Sequence, residues 1–117
     1  DVFNNFSIKE VTFYVDKNSI FLSNLENYPN PFENTTTIKF RHNCTIPASA
    51  TIDIFTLDGK RIRSLKNNIN TSYESEIYWN GLDDNGNIIP NGVYIYKLNI
   101  DNNSQQNFKI GKLIKNK

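Results

Sequence analysis

The sequence predicts an all-β sandwich of about seven antiparallel strands. Short segments in which apolar and polar residues alternate recur along the chain, as is typical of half-buried strands. Clusters of Asn, Asp, Gly and Pro separate these segments, and such clusters are typical of turns. No stretch carries apolar residues at the helical period of about 3.6, so we predict no helix.

The first alternating segment covers residues 6–15, where Phe6 and Ile8 are out of phase with Val11, Phe13 and Val15. A β-bulge would produce this change of phase. The polar residues 16–19 follow. We therefore expect residues 1–16 to be the last strand and linker of a preceding domain, and residues 17–117 to form the sandwich. No leader-like segment follows Asp1, so we expect any export signal to lie upstream.

The next segments read as a strand, a crossover and a hairpin. Residues 20–25 are followed by Tyr28, Pro29, Asn30, Pro31 and Phe32. The two prolines remove two backbone donors, so this stretch can be only an edge or a crossover between strands. Residues 35–41 and 50–57 alternate again. An Asp-Gly pair that ends in Gly59 then predicts a tight turn, with residues 60–65 as the returning strand.

The second half of the chain continues the pattern. Residues 67–72 are predicted to form a polar loop, and residues 74–79 a half-buried strand that ends in the core at Trp79. Residues 80–91 contain Gly81, Gly86 and Pro90, which are typical of turns. Residues 93–100 are rich in β-branched and aromatic residues, and residues 107–115 form the last strand. Strands of this number and spacing predict an immunoglobulin-like sandwich.

Composition and charge exclude several classes of protein. The chain has 117 residues, enough for one domain with its own core. A net charge of +1 argues against a nucleic-acid partner. No apolar run approaches the roughly 20 residues that span a bilayer, so we expect no direct membrane insertion. The single cysteine excludes an intrachain disulfide.

The residues that could carry chemistry are few. His42 is the only histidine, which excludes a Ser-His-Asp triad and a two-histidine metal motif. The one enzymatic alternative pairs His42 with Cys44, but nothing in the sequence supplies an oxyanion hole. Glu74 and Glu76 share one face of a polar strand, where solvated carboxylates are usual. We predict a non-catalytic domain without a catalytic residue.

Residues 83–87 resemble a calcium loop only in part. Asp83, Asn85 and Asn87 alternate, but the sixth position of the loop is Ile88 instead of Gly. The twelfth position is Tyr94 instead of Glu. An Asn-Gly turn accounts for this segment. We therefore predict no metal site and no cofactor.

Aromatic residues offer an alternative function. Trp79, Tyr94 and Tyr96 could stack on sugars, as in a carbohydrate-binding or adhesive module of a surface protein. Buried aromatic residues also supply much of the core of a small sandwich, and that interpretation is favoured.

The tail, residues 109–117, carries four lysines and no acidic residue. Lysines protect an exposed edge strand against aggregation. A strand that another protein recognises by β-augmentation would have the same composition, so the sequence leaves both interpretations open. An edge-strand dimer is a third expectation for such a strand.

Three segments together resemble a known family. Residues 27–32 followed by residues 37–40 resemble the Y-P-N-P-F…T-x-I-x-F opening of type IX secretion C-terminal sorting domains. Residues 52–62 resemble the central hairpin of that family, and residues 79–86 with 91–98 resemble its closing hairpin. Residues 111–115 match its short terminal signal. The immunoglobulin-like domain of flagellar hook-capping proteins shares much of this pattern.

The resemblance implies a secretion signal that is recognised as a folded domain. It implies export across the outer membrane of a Bacteroidetes-type bacterium, through the periplasm to the cell surface. The implied partners are the translocon, its outer-membrane shuttle barrel and the upstream domains of the same polypeptide. The residues implied to contact a partner are Gly92, Val93, Tyr94, Tyr96, Gly111, Lys112, Leu113, Ile114 and Lys115. Those implied to form the structural motif are Tyr28, Pro29, Asn30, Pro31, Phe32, Gly59, Trp79, Gly81 and Gly86.

A narrower resemblance concerns the sortase of the same pathway. Residues 1–7 leading into residues 13–15, together with residues 40–43, are similar to the end of that enzyme. This resemblance implies a C-terminal domain that is retained instead of cleaved, as part of a surface attachment complex. The catalytic residues of the sortase would then lie upstream of this chain.

Overall fold

The structure is a computed structural model that describes residues 21–43, 46–71, 73–103 and 106–116. The predicted strand over residues 6–15, its linker and Cys44 lie outside these ranges. The division into a preceding domain and a sandwich domain therefore stays a prediction.

Seven antiparallel strands form the regular structure of the described residues. They are β1 Leu22–Tyr28, β2 Thr36–His42, β3 Ala48–Thr56, β4 Arg61–Ile69, β5 Glu74–Trp79, β6 Gly92–Asp101 and β7 Gln106–Lys115. One sheet has the order β1-β2-β5 and the other the order β4-β3-β6-β7. The predicted all-β sandwich is confirmed.

The core lies between the two sheets and follows from alternation along the strands. Every second residue is buried on β2 and on the first part of β3, which places Ile38, Phe40, Ile52 and Ile54 in one apolar cluster. Trp79 joins this cluster with no exposed surface. Burying an apolar side chain of this size contributes about 1.5–3 kcal/mol, so this cluster is the main source of stability.

Two strands, β4 and β1, extend several residues beyond their predicted ends. The predicted loop over residues 67–72 is wrong at its start, because β4 continues to Ile69. Asn67 and Asn68 pair with Ala50 and Ser49 of β3, and Ile69 is only 2% exposed. The backbone ladder accepts these asparagines because their side chains remain in solvent. β1 likewise extends to Tyr28, beyond a shift of register between Ser23 and Glu26.

Two predicted turns depend on glycine. Gly59 has a φ of +95° and donates its N–H to the carbonyl of Thr56 at 3.0 Å, which confirms the hairpin between β3 and β4. Gly81 has a φ of +80°, and a Cβ there would lie 2.1 Å from the backbone oxygen of Asn34. No side chain fits at that position, so Gly81 allows the loop after β5 to pack against the loop before β2.

Candidate recognition interface

All the predicted partner-contacting residues lie on β6 and β7, at one edge of the four-stranded sheet. β7 pairs with β6 along its whole length, from Gly92 opposite Lys115 to Asp101 opposite Gln106. In the part of the chain that the structure describes, β7 has a strand neighbour on this side only. The last strand is therefore an edge strand.

Alternation divides these residues between the two faces of the sheet. Tyr94, Tyr96 and Leu113 point into the core and are at most 5% exposed, and Lys115 on the same face is 8% exposed. Val93, Lys112 and Ile114 belong to the outer face, where Val93 lies opposite Ile114. Gly92 is exposed at the start of β6. Contact of these residues with a partner stays a prediction, and only the outer ones offer side chains to it.

Gly111 and Tyr96 form a cross-strand pair on the inner face. A Cβ at Gly111 would lie 2.4 Å from Cζ of the Tyr96 ring. The ring therefore covers the glycine and takes the space that a side chain would fill. Burial, with a smaller contribution from the charge of Glu26, raises the pKa of Tyr96 to about 12. The phenol is neutral at any physiological pH.

The aromatic residues that suggested sugar binding are structural. The Trp79 indole N–H donates to the carbonyl of Leu82 at 3.0 Å, and the Tyr94 hydroxyl donates to the carbonyl of Pro90 at 2.6 Å. Trp79 and Tyr96 are at most 1% exposed and Tyr94 is 5% exposed. Stacking on a sugar requires an open ring face. A carbohydrate platform built on these three rings is therefore excluded, and the prediction that they belong to the core is confirmed.

Residues 28–32 connect β1 to β2 and contact the far end of β7. We call this segment the clamp. Phe32 is fully buried against Trp79, with ring centroids 5.5 Å apart. Its N–H donates to the carbonyl of Ile114, and its carbonyl accepts from the N–H of Asn116, both at 2.9 Å. Of the two alternatives predicted for this segment, an edge or a crossover, the structure shows a connection between β1 and β2, and this short parallel bridge attaches it to the last strand.

Asn30 extends the clamp along β7. Its Oδ1 accepts the N–H of Ile114 at 3.0 Å, and its Nδ2 donates to the carbonyl of Lys112 at 3.3 Å. The amide side chain thus substitutes for a strand neighbour. Thr36 fixes the clamp from the other side by donating its hydroxyl to the carbonyl of Pro29 at 2.9 Å. The outer edge of β7 is consequently closed from the carbonyl of Lys112 to the N–H of Asn116.

Residues 83–87 form a self-contained turn. Oδ1 of Asp83 accepts the N–H groups of Asn85 and Asn87, both at 2.9 Å. Gly86 donates to the carbonyl of Asp83 at 3.0 Å with a φ of +83°. Among the described residues, no group of three or more His, Cys, Asp or Glu side chains could hold a metal ion. The carboxylate of Asp83 stabilises the turn itself.

The same loop covers the opposite edge of the four-stranded sheet. Asp84 donates its N–H to the carbonyl of Ile62 at 2.8 Å and accepts the N–H of Ser64 at 3.2 Å. Arg63 donates to the carbonyl of Leu82 at 2.8 Å. Edge strands with free backbone groups promote aggregation, and this loop occupies those of β4 at Ile62 and Ser64.

His42 has a structural environment. It is 3% exposed and lies 3.3 Å from the hydroxyl of Ser75, its ring tilted against that of Phe40 at 5.9 Å. Burial lowers the pKa of His42, partly opposed by a hydrogen bond to the backbone of Thr71. A neutral imidazole held in this way belongs to the packing of the fold.

Two outer-face residues of β7 are absent from the contact residues predicted from the sequence. Phe108 is 51% exposed and Ile110 is 61% exposed, and Nζ of Lys97 lies 4.5 Å from the centroid of the Phe108 ring. Strict alternation from Lys112 back along β7 would have assigned both residues to the outer face. The contact between Asn30 and β7 had no such signal, because it joins segments far apart in the sequence.

The described residues include no helix with the length and apolar character needed to span a bilayer. No curated protein matches the sequence. Solved structures that share the fold include two proteins of one bacterium. Dimeric latent PorU from Porphyromonas gingivalis is 22% identical with a TM-score of 0.70 and covers 81% of this chain. PorZ, a surface component of the type IX secretion system of that organism, is 20% identical with a TM-score of 0.51 and covers 80%.

The chain spans 9% of the length of PorU and 11% of that of PorZ. The family model described as "Secretion system C-terminal sorting domain" matches residues 26–116, which include all seven strands except the first residues of β1. The implied type IX resemblance is thereby confirmed, together with the non-catalytic character of the domain. This chain belongs to the family of type IX secretion system C-terminal sorting domains.

Proposed function

We propose that this domain directs its parent protein through the type IX translocon to the outer membrane and cell surface, and that it is recognised in its folded state. The observation that carries the proposal is the edge position of β7, which is held in a fixed geometry by β6 on one side and by the clamp on part of the other. A rigid edge loses little conformational entropy when a partner binds.

Family membership supports the sorting role, and the burial pattern supports recognition of a folded surface. Leu113 has no exposed surface and Lys115 is 8% exposed, so a partner could bind the terminal segment as an extended peptide only after the sandwich opened. Opening would remove Leu113 from the core at a cost of about 1.5–3 kcal/mol. Recognition of the outer face and edge avoids this cost.

The experiment is a truncation in a bacterium that has the pathway. A fluorescent reporter that carries residues 1–117 at its C-terminus should reach the surface. The same reporter that ends before Gly111 should remain in the periplasm. Because the truncation also removes Leu113 from the core, Leu113→Ala in the full chain serves as the folding control. Surface display of the truncated reporter would contradict the proposal.

We further propose that the parent protein is a sortase of the PorU type and that the domain is retained. The resemblance of residues 1–7, 13–15 and 40–43 to the end of that enzyme supports this assignment. The similarity to PorU in fold agrees with it. Mass spectrometry of the surface-exposed parent protein tests retention. Peptides from residues 92–115 should be present in the mature protein, and their absence would refute retention.

A further inference from the structure

The outer edge of β7 is divided into a closed half and an open half. In antiparallel pairing, alternate residues direct their N–H and C=O groups away from the neighbouring strand. Ile114 directs its groups outward to the clamp, and the pairing with β6 continues without a shift of register to Gln106. Ile110 therefore also directs its N–H and C=O outward. Within the described residues, no strand lies beside this half.

The open half offers a row of main-chain groups that have no hydrogen-bond partner among the described residues. They are the C=O of Phe108, both groups of Ile110 and the N–H of Lys112, while the N–H of Phe108 donates to Oδ1 of Asn107 at 2.8 Å. An added strand needs such alternating donors and acceptors. The stretch from Phe108 to Lys112 is long enough for a short strand to pair.

The side chains that flank the open half are apolar and basic. Phe108 and Ile110 are both more than half exposed on the outer face. Lys97 lies opposite Ile110 and its ammonium group lies over the Phe108 ring, while Lys112 is exposed two residues further along β7. Two carboxylates lie on the same face: Asp53, opposite Lys97, lies 3.6 Å from Arg61, and Asp101, opposite Gln106 at the end of the strip, accepts the N–H of Asn103. Lys97 and Lys112 thus give this strip a positive potential.

We infer that the open half of β7 binds an extended segment of a partner protein as an added strand, and that this segment carries carboxylate side chains beside apolar ones. Main-chain bonds to Ile110 supply the docking geometry, and the lysines select an acidic strand. The inference rests on the proposed sorting function, for which it identifies the contact surface and the chemistry of the partner.

A second copy of the chain fits this surface less well than an acidic partner. Antiparallel pairing of two β7 strands about Lys109 would place the two Lys109 residues directly opposite each other, and any other register would still bring Lys109 and Lys112 of both copies together on strands that carry no acidic residue. Like charges directly opposite each other on paired strands are destabilising.

The other edges of the sandwich are less suitable. The edge of β4 is occupied by Asp84 at Ile62 and Ser64, and beyond Leu65 its exposed side chains are Lys66 and two asparagines instead of apolar residues. The edge strand β1 changes register near Asn24, which has a φ of +54°. β5 is a regular edge strand but it carries Glu74 and Glu76, so its charge is opposite to that of β7. β5 therefore provides a matched control.

The test replaces one outward N–H by proline. Ile110→Pro removes the central donor of the open half but no bond to β6, a position where edge strands tolerate proline. Glu76→Pro is the control, because it also removes an outward N–H from an edge strand. The carbonyl of Tyr73 accepts the N–H of His42 on β2, so odd-numbered residues of β5 face β2 and the N–H of Glu76 points away from it. Both are introduced into the reporter that carries residues 1–117, and circular dichroism checks folding.

We expect Ile110→Pro to lower surface display about tenfold, equivalent to about 1.4 kcal/mol, and Glu76→Pro to leave it within about twofold. Equal effects of the two variants would overturn the inference. If Ile110→Pro does not fold, the double variant Lys97→Glu, Lys112→Glu decides, because it leaves the backbone unchanged. A tenfold loss would support the acidic partner, and normal display would refute it.

Two further measurements separate the possible failures. If a reporter that lacks the whole domain is displayed, the sorting function itself is refuted. If that reporter stays in the periplasm while the Ile110 and lysine variants are displayed normally, the sorting function stands and only the inference that the open half of β7 binds a partner strand is refuted. Light scattering of the purified chain tests whether a second copy binds the open half. A dimer that Ile110→Pro converts to a monomer would refute the acidic partner and show that the open half mediates self-association.

Discussion

Gly111→Ala tests the packing of the terminal segment on the core. The added Cβ would lie 2.4 Å from Cζ, 2.6 Å from the hydroxyl oxygen and 2.7 Å from Cε1 of Tyr96. Since the ring is only 1% exposed, it has little room to move away. Overpacking of this kind costs about 1–3 kcal/mol. Replacing a strand glycine by alanine returns about 0.5–1 kcal/mol of backbone entropy. We expect a net loss of about 1–2 kcal/mol in the free energy of unfolding.

Thermal unfolding followed by circular dichroism provides the measurement. A loss of 1 kcal/mol lowers Tm by roughly 4–8 °C in a domain near this size. The matched variant is Tyr96→Leu, which removes the atoms that the Cβ would meet. If the clash is the cause, Gly111→Ala should cost less in the Tyr96→Leu background than in the native one. Contacting residues show coupling of about 0.5–3 kcal/mol.

Two results would refute the reasoning. Unchanged stability of Gly111→Ala would mean that the ring is not held over the glycine. Strictly additive losses in the double variant would mean that the glycine is needed for a reason other than Tyr96. Either result would mean that Gly111 does not depend on the Tyr96 ring for its packing against the core.

Two other perturbations address the clamp and the buried histidine. Asn30→Ala removes the acceptor for the N–H of Ile114, so we expect the free energy of unfolding to fall by about 0.5–1.5 kcal/mol and hydrogen exchange at that amide to become faster. Asn30→Asp keeps the acceptor, so its stability and exchange rate should lie between those of the native protein and Asn30→Ala. Equal exchange at Ile114 in all three proteins would contradict the contact between the clamp and β7. Burial lowers the pKa of His42 in the folded protein below its value of 6.5 in the unfolded chain. The contribution of the neutral His42 to the free energy of unfolding is therefore complete above pH 6.5 and is lost as pH falls through the folded pKa. Urea unfolding between pH 7.5 and 5.5 should show a decline that His42→Asn flattens, and an unchanged pH dependence in that variant would contradict it.

The strands could be predicted because each one has a buried and an exposed face. Ile77 and Trp79 alternate with Glu76 and Tyr78, and the structure buries the first pair and exposes the second. Alternation fails where a ladder continues through polar residues, as at Asn67 and Asn68 of β4. Their side chains stay in solvent, so the sequence contains no contrast between inside and outside from which to identify a strand.

The proposed recognition interface could be predicted as a region but not in its details. The lysine-rich tail indicated an edge strand, and β7 is one. The sequence could not show that Asn30 and Phe32 bind its far end, because hydrogen bonds between an asparagine side chain and a distant backbone leave no periodic pattern. The family resemblance identified residues 28–32 as a motif, but the reason for the motif became visible only in three dimensions.

The clamp also affects how a truncation of the terminal segment is interpreted. Removal of residues 111–117 deletes the buried side chain of Leu113 and leaves Phe32 without its two backbone partners. A loss of display after truncation could therefore result from loosening of the fold around Trp79 as well as from loss of a surface. Ile110→Pro avoids this ambiguity because Ile110 is 61% exposed and precedes the closed half. Only a variant of this kind, with unchanged Tm and reduced display, distinguishes recognition of the edge from the stability of the sandwich.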